Sequence, residues 1–584
     1  FSKIYPEMRI LHSLNLLLIT TLVTLTVQPS AGQKPGRTER LAAARMEKWK
    51  SPVPAGVLPE TFRIDSVKAD EQNRLIMVYL PVTASYNPIR EDVYTSLVSS
   101  VRGILGKKFA GYTIELYSNG FSLASLVPNY FRSVLPLDPS RISSSGGVRQ
   151  RLVSRQGAPP AERGLDGKYI ALWHSHGYYF DQPLDRWEWQ RAKLFGSVED
   201  LSVMAYVVPY LAPMLENSGA TVFLPRERDI QTNEVIVDND LSTGASKFEL
   251  QTPAEVAGSG RGFVLKDTLF TGDNPFMTGT SLRIRVGSAL FVPEIPERGW
   301  YGVTVSYPQI HGYNGKVNYK VTHTGGVTEF IVDQSLGGGT WLWLGSFLFD
   351  AGMDARRGSV TVTGLNDSDV LVDAVRFGGG MGNVARRPAD KLLSNQWSLN
   401  AGSQQSSTEA APVTRQHSWK LSGKPRFLEA ARYWLQYAGM PDTLVYTPNK
   451  GRNDYNDDYM SRAEWVNYLV RKPDSSALTG LGIPLDLSFA FHTDAGVTPD
   501  DSVIGTLGIY STITNGGKFP DGTARLANRD LTDIIQTQIV EDMRVLFNPD
   551  WTRRAMWDRS YYEARKPDVP AMLLELLSHQ NLAD

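Results

Sequence analysis

The chain has 584 residues, eight histidines, no cysteine and a formal net charge of -1. That length is more than one ordinary core can organise, so about two to four domains are expected. The near balance of acids and bases gives no basic face for nucleic acid. The missing cysteine excludes disulfides, thiolate metal sites and a cysteine nucleophile, so any metal must be held by histidine and carboxylate.

The first 32 residues read as an export signal region: Met8-Arg9 offers a start and a positive charge, Ile10 to Val27 is largely apolar, and Pro29-Ser30-Ala31-Gly32 supplies small residues for cleavage. An uncleaved anchor is the competing expectation. Either way the body lies outside the cytoplasm, periplasmic or at the cell surface, with no membrane span once the signal is removed. Residues 33–54 read as a linker and 55–140 as a small α/β domain. In the latter, Val93, Leu97, Val101 and Ile104 mark a helix between the strand-like runs Arg74 to Leu80 and Tyr112 to Tyr117. The Ser-, Gly- and Arg-rich stretch 141–167 reads as a connection.

Residues 165–240 carry a strand–helix–strand pattern. Lys168 to Trp173 is an apolar strand, Glu199 to Ser218 a helix with a kink expected at Pro209 and Pro213, and Ala220 to Leu224 the next strand. From 241 to 378 short alternating strands separated by Gly, Asn and Asp turns predict an all-β sandwich, followed by a linker over 379–424. Helix and strand patterns resume over 425–584, ending in the strands Leu485 to Phe491 and Val569 to Glu575. The fold class is therefore α/β: a mixed sheet flanked by helices and interrupted by a β-sandwich, with a small N-terminal α/β domain.

Four distant segments carry metal-hydrolase chemistry. His174 and His176 follow the first strand, and Gly177 allows close backbone approach; His176 is the stronger ligand candidate. Glu199 opens the helix, with Asp200 as a rival ligand. His492 ends an apolar strand before the turn Asp494-Ala495-Gly496. Glu575 lies in an apolar run, where a carboxylate needs a partner and where burial raises its pKa toward that of a general base. Two histidines and a carboxylate can hold Zn²⁺, and a second carboxylate can serve as base.

The order of these pieces resembles the zinc-dependent N-acetylmuramoyl-L-alanine amidases of the amidase_3 family. The resemblance rests on His176-Gly177, Glu199, the strand end Gly219 to Asp229, His492-Thr493-Asp494-Ala495 and Pro570 to Glu575, over 168–240 and 425–584. It implies zinc on His176, Glu199 and His492, Glu575 as catalytic acid/base, and peptidoglycan as substrate. Arg226 and Asp494 are candidate substrate contacts, Asp494 also as an orienter of His492, while bracing of the strand end is the plainer expectation for Arg226 and Asp229. Tyr178 stands where the family has a second glycine, and an aromatic, charged insertion spans Asp181 to Arg191. The run Ser578-His579-Gln580-Asn581 resembles the Ser-Asn-x-x-Asp that follows the family's catalytic Glu, and the ending at Asp584 reads as truncation.

The inserted segment resembles the golvesin C-terminal-like, xanthan-lyase-type carbohydrate-binding module. It does so on Asn274-Pro275-Phe276, Val303 to Pro308, Tyr319 to Gly326, Trp341 to Phe347 and Val372 to Phe377. That implies a sugar-binding role suited to exposed aromatic rings, although packing of Trp341 or Trp343 in the sandwich core is the plainer expectation. Three functions follow: an amidase cleaving the bond between N-acetylmuramic acid and L-alanine, a non-catalytic cell-surface glycan binder, or a zinc peptidase or amidase acting on another exported polymer.

Overall fold

The computed structural model describes residues 35–52, 64–143, 149, 151–157, 164–313, 315–365, 368–388, 418–446, 448–473 and 480–584. The expected signal region lies outside the described residues. Among them, no helix is long and apolar enough to cross a membrane.

The site is organised by a six-stranded mixed sheet. Its strands are β1 (Tyr169–His174), β2 (Thr221–Phe223), β3 (Leu487–Asp494), β4 (Leu507–Tyr510), β5 (Trp557–Asp558) and β6 (Ala571–Ser578). They lie in the order β5-β4-β6-β3-β1-β2. β1 is buried along its whole length, as expected of an apolar strand covered on both faces. β3 runs parallel to both β1 and β6, with Phe491 opposite His174 and His492 opposite Glu575. The carboxyl ends of three neighbouring strands therefore open on one edge of the sheet, where ligands collect in α/β folds. Only β4 runs antiparallel to its neighbour β6.

Between β1 and β2 the expected kink is a change of helix type. Glu199–Ser202 and Met204–Tyr206 are α-helical, Val207–Leu211 forms a π-helical turn, and Ala212–Asn217 returns to α. Pro209 has no N–H to donate to the regular ladder, and the wider turn absorbs the loss. Strands β3 and β6 extend past their expected ends, to Asp494 and Ser578.

The sandwich pairs a four-stranded sheet with a seven-stranded one. Its limits differ from those read in the sequence. Val235–Asp238, placed before the 240/241 boundary, pairs antiparallel with Ala374–Phe377. Val153–Arg155, taken as part of a connection, adds an edge strand against Phe330 to Val332. Short strands flanked by polar residues give too little alternation to be told from loop.

The sandwich packs firmly on the α/β domain, and one continuous apolar cluster runs through both. Trp341 lies at the junction, its ring 4.8 Å from Phe263, 5.3 Å from Phe276 and 6.3 Å from Tyr437. The buried Arg376 faces the rings of Trp341, Trp434 and Tyr437 and pairs with the buried Glu227.

The small domain is a four-stranded sheet covered by the helix Glu91–Leu105, which buries Leu97, Val101 and Leu105 and leaves Ile104 exposed. Part of the expected linker is structured: Arg37–Met46 is helical and buries Ala42 and Met46 in that domain's core. The small domain is tied to the helix Leu526–Leu546 by the ion pairs Arg90–Asp533 at 2.7 Å and Arg141–Asp530 at 2.8 Å.

Candidate metal centre

Beyond β1 the backbone turns at Ser175, whose φ is +53° and whose N–H donates to the Phe491 carbonyl at 2.7 Å. The turn directs His176 across the end of β3. Gly177 follows because the chain there touches another segment: a Cβ would lie 2.6 Å from the Ala430 nitrogen. The Tyr178 carbonyl accepts from that same Ala430 N–H at 3.0 Å.

His176, Glu199 and His492 meet at this edge, each offering one ligand atom, all within 4.8 Å of one another. They are 6 %, 1 % and 4 % exposed, so water supplies little compensation for their charge. Glu199 Oε1 is 3.4 Å from His492 Nδ1 and Oε2 is 3.6 Å from His176 Nδ1. Oε1 also accepts from the Ser175 hydroxyl at 2.5 Å and the Thr493 N–H at 3.2 Å. Oε2 is buried and accepts no hydrogen bond among the described residues. Two imidazoles and a carboxylate are a donor set suited to zinc, and these residues fit the ion, with the Arg191 guanidinium 3.2 Å from Oε2 standing beside it.

Burial disfavours ionised Glu199, but His176, His492 and Arg191 outweigh it and hold its pKa well below the usual carboxylate range. Burial pushes His176 well below the usual imidazole range against the pull of Glu199, whereas at His492 the Glu563 and Glu199 carboxylates outweigh burial and raise the ring to about 10. Burial and the Glu199 charge push Glu575 up to about 8, opposed by His492. Its Oε2 is buried and accepts no hydrogen bond among the described residues. Glu575 lies across the ladder from His492.

Other candidates fall elsewhere. His174 is fully buried, with neither ring nitrogen hydrogen-bonded among the described residues, and is outside the cluster. Asp200 lies 3.8 Å from His176 Nδ1, and burial with the Glu199 charge raises it to about 7. Arg226 takes the bracing role expected of it. It is buried and donates to the carbonyls of Glu429, His174 and Phe427, bracing the turn after β1. Asp494 does not orient His492: its Oδ2 pairs with Arg554 and its Oδ1 accepts from the Ala495 N–H. Side chains alternate along a strand, which sends Asp494 the same way as His492 in an ideal ladder, but the register slips between the two.

Two residues not singled out from the sequence touch the centre. Arg191 follows the hairpin Tyr178–Asp181/Arg186–Trp189, and its guanidinium lies 2.9 Å from His176 Nε2 and 3.2 Å from Glu199 Oε2. The insertion around it is visible in the sequence; its reach back to the site is not. Glu563, from the short helix Tyr562–Arg565, lies 3.1 Å from His492 Nε2. Nothing in its sequence spacing marks it.

The Golvesin C-terminal domain family matches residues 271–379. A xanthan lyase from Bacillus sp. (strain GL1) is 37 % identical over 94 residues, 15 % of this chain and 10 % of the relative. The chain thus spans about a tenth of that relative's length. A solved Paenibacillus xanthan lyase is 24 % identical with a TM-score of 0.19, covering 26 % of this chain and 13 % of that one. The C-terminal family 22 carbohydrate binding module of Clostridium thermocellum Xyn10B is 14 % identical with a TM-score of 0.14, covering 24 % of this chain and 89 % of that one.

Proposed function

We propose that this chain is an exported, glycan-directed protein whose golvesin-type sandwich binds a cell-surface glycan. The family match over 271–379 carries this reading. The Trp341 face supports docking rather than sugar, because it is covered by the α/β domain. Trp300 is the better platform: it points outward from the strand Gly299–Val305, pairs across with Leu348 and is 63 % exposed. A flat indole in that position suits stacking on a sugar face. The test is sedimentation of the full chain with purified peptidoglycan and with other surface polysaccharides. Retention that falls at least about tenfold in Trp300→Ala supports the reading; no retention on any polymer removes it.

A second reading adds hydrolysis, and the convergence of His176, Glu199 and His492 from separate segments favours it. In this reading the three hold a zinc ion. Bound there, zinc supplies Lewis acidity for the scissile carbonyl. Glu575 takes the proton of the attacking water and returns it to the leaving amine. Ser175 and the Thr493 N–H fix the Glu199 carboxylate, and Arg191 supplies positive charge at the rim. Amide hydrolysis between N-acetylmuramic acid and L-alanine is the specific form suggested by the sequence resemblance. Digestion of purified peptidoglycan followed by mass analysis tests it. Glycan freed of its stem peptide is the expected product; cleavage within the stem peptide points to a peptidase, and an unaltered polymer leaves glycan binding alone.

A further inference from the structure

We propose that Glu563 is a positioning residue of the metal centre, holding the His492 ring with Nε2 on its own carboxylate and Nδ1 turned toward Glu199 and the ion. The inference rests on the metal-centre reading. Glu563 belongs to none of the segments that carry the candidate ligands, yet its carboxylate is fixed from two sides. Its Oε1 accepts from Trp173 Nε1 at 2.7 Å and lies 2.8 Å from Arg462 Nε. Both partners are built into the site's frame. Trp173 is on β1, two residues before Ser175, and Arg462 Nη1 donates to the Ser175 carbonyl at 2.9 Å. With Oε1 so occupied, Oε2 is directed at His492 Nε2, 3.1 Å away.

An imidazole in contact with a carboxylate must present a proton to it, because an ionised carboxylate only accepts. Nε2 of His492 therefore carries the hydrogen. The other nitrogen, Nδ1, faces Glu199 Oε1 at 3.4 Å, so without the ion both nitrogens carry protons; an ion held by Glu199 replaces the proton on Nδ1 while Glu563 retains the one on Nε2. Carboxylate–histidine–metal relays of this kind fix ring orientation and raise ligand basicity.

Glutamine at 563 discriminates this role from simple packing. The Trp173 N–H demands the amide oxygen, which leaves the amide nitrogen against His492. An N–H there needs an acceptor, so Nε2 loses its proton and Nδ1 gains one. That tautomer cannot ligate.

The experiment uses the full chain with zinc alone, titrated against a competing chelator. Glu563→Gln is expected to bind zinc about 10- to 100-fold more weakly than wild type, and His492→Ala to lose binding. Wild-type-like zinc affinity in Glu563→Gln, with loss in His492→Ala, overturns the role of Glu563 and leaves the metal centre standing. Absence of zinc binding in the wild type overturns both. Imidazole ¹⁵N resonances of zinc-loaded wild type give a readout that does not depend on a variant folding. A protonated Nε2 on His492 is expected; a protonated Nδ1 overturns the proposal.

Discussion

His492 and Glu575 occupy opposite positions in the register of two adjacent parallel strands, so a candidate ligand and a candidate base project from neighbouring strand ends. Their spacing is set by the sheet rather than by loops, and a rigid frame of this kind suits proton transfer at a fixed centre. Glu575→Gln is therefore expected to keep zinc and fold while losing about 10²- to 10⁴-fold in hydrolysis of peptidoglycan. Equal activity in the variant removes Glu575 from the chemistry.

Zinc is expected to stabilise the fold, because an ion that binds only the native state adds RT ln(1 + [L]/Kd). At about 100 times Kd the gain is roughly 2.7 kcal/mol. Thermal melts with zinc and after chelation check it: the wild type shifts, and His492→Ala does not.

Gly177 has no room for a side chain against Ala430. Gly177→Ala forces the turn after β1 away from the segment that braces it, at an expected cost of about 1–3 kcal/mol. The displaced His176 also weakens zinc. A melt combined with a chelator titration reads both effects.

Asp238 is buried with neither carboxylate oxygen hydrogen-bonded among the described residues. Burial, then the charges of Asp373 and Asp240, push it up to about 8. Its unfolded value is near about 3.9, so the folded state holds the proton more tightly. The resulting stability is full below about pH 4 and is lost as pH rises toward 8. Asp238→Asn is expected to flatten that decline and to gain about 1–3 kcal/mol near pH 8, measured by denaturant melts across pH.

Trp341 joins the sandwich to the α/β domain. Trp341→Ala is expected to cost about 3–5 kcal/mol. Because one apolar cluster spans both parts, calorimetry should show a single lowered transition, or two where the wild type has one.

The strands that carry the site were readable because each is a short apolar run ending in a chemically distinctive residue, as at His492 and Glu575. Apolar periodicity likewise exposed the helix Glu91–Leu105. Less was visible where contacts are made by isolated polar side chains from remote segments. Arg191, Glu563 and Arg462 reach the centre through the tertiary fold alone. Arg226 was open to two readings, since a charged residue at a strand end suits either a substrate contact or a brace, and its carbonyl partners agree with the brace. The limits of the sandwich were blurred because Val153–Arg155 and Val235–Asp238 are too short to show a period.

The antiparallel pairing of Val235 with Phe377 sets the two ends of the long excursion through the sandwich side by side. Once those two strands zip together, an excursion of roughly 140 residues presents itself to the rest of the polypeptide as a tight hairpin, and the entropic penalty for joining β1 to β3 shrinks accordingly. A lesion in Val235–Asp238 or Ala374–Phe377 is therefore expected to make the central sheet harder to assemble without touching any residue on the site's edge.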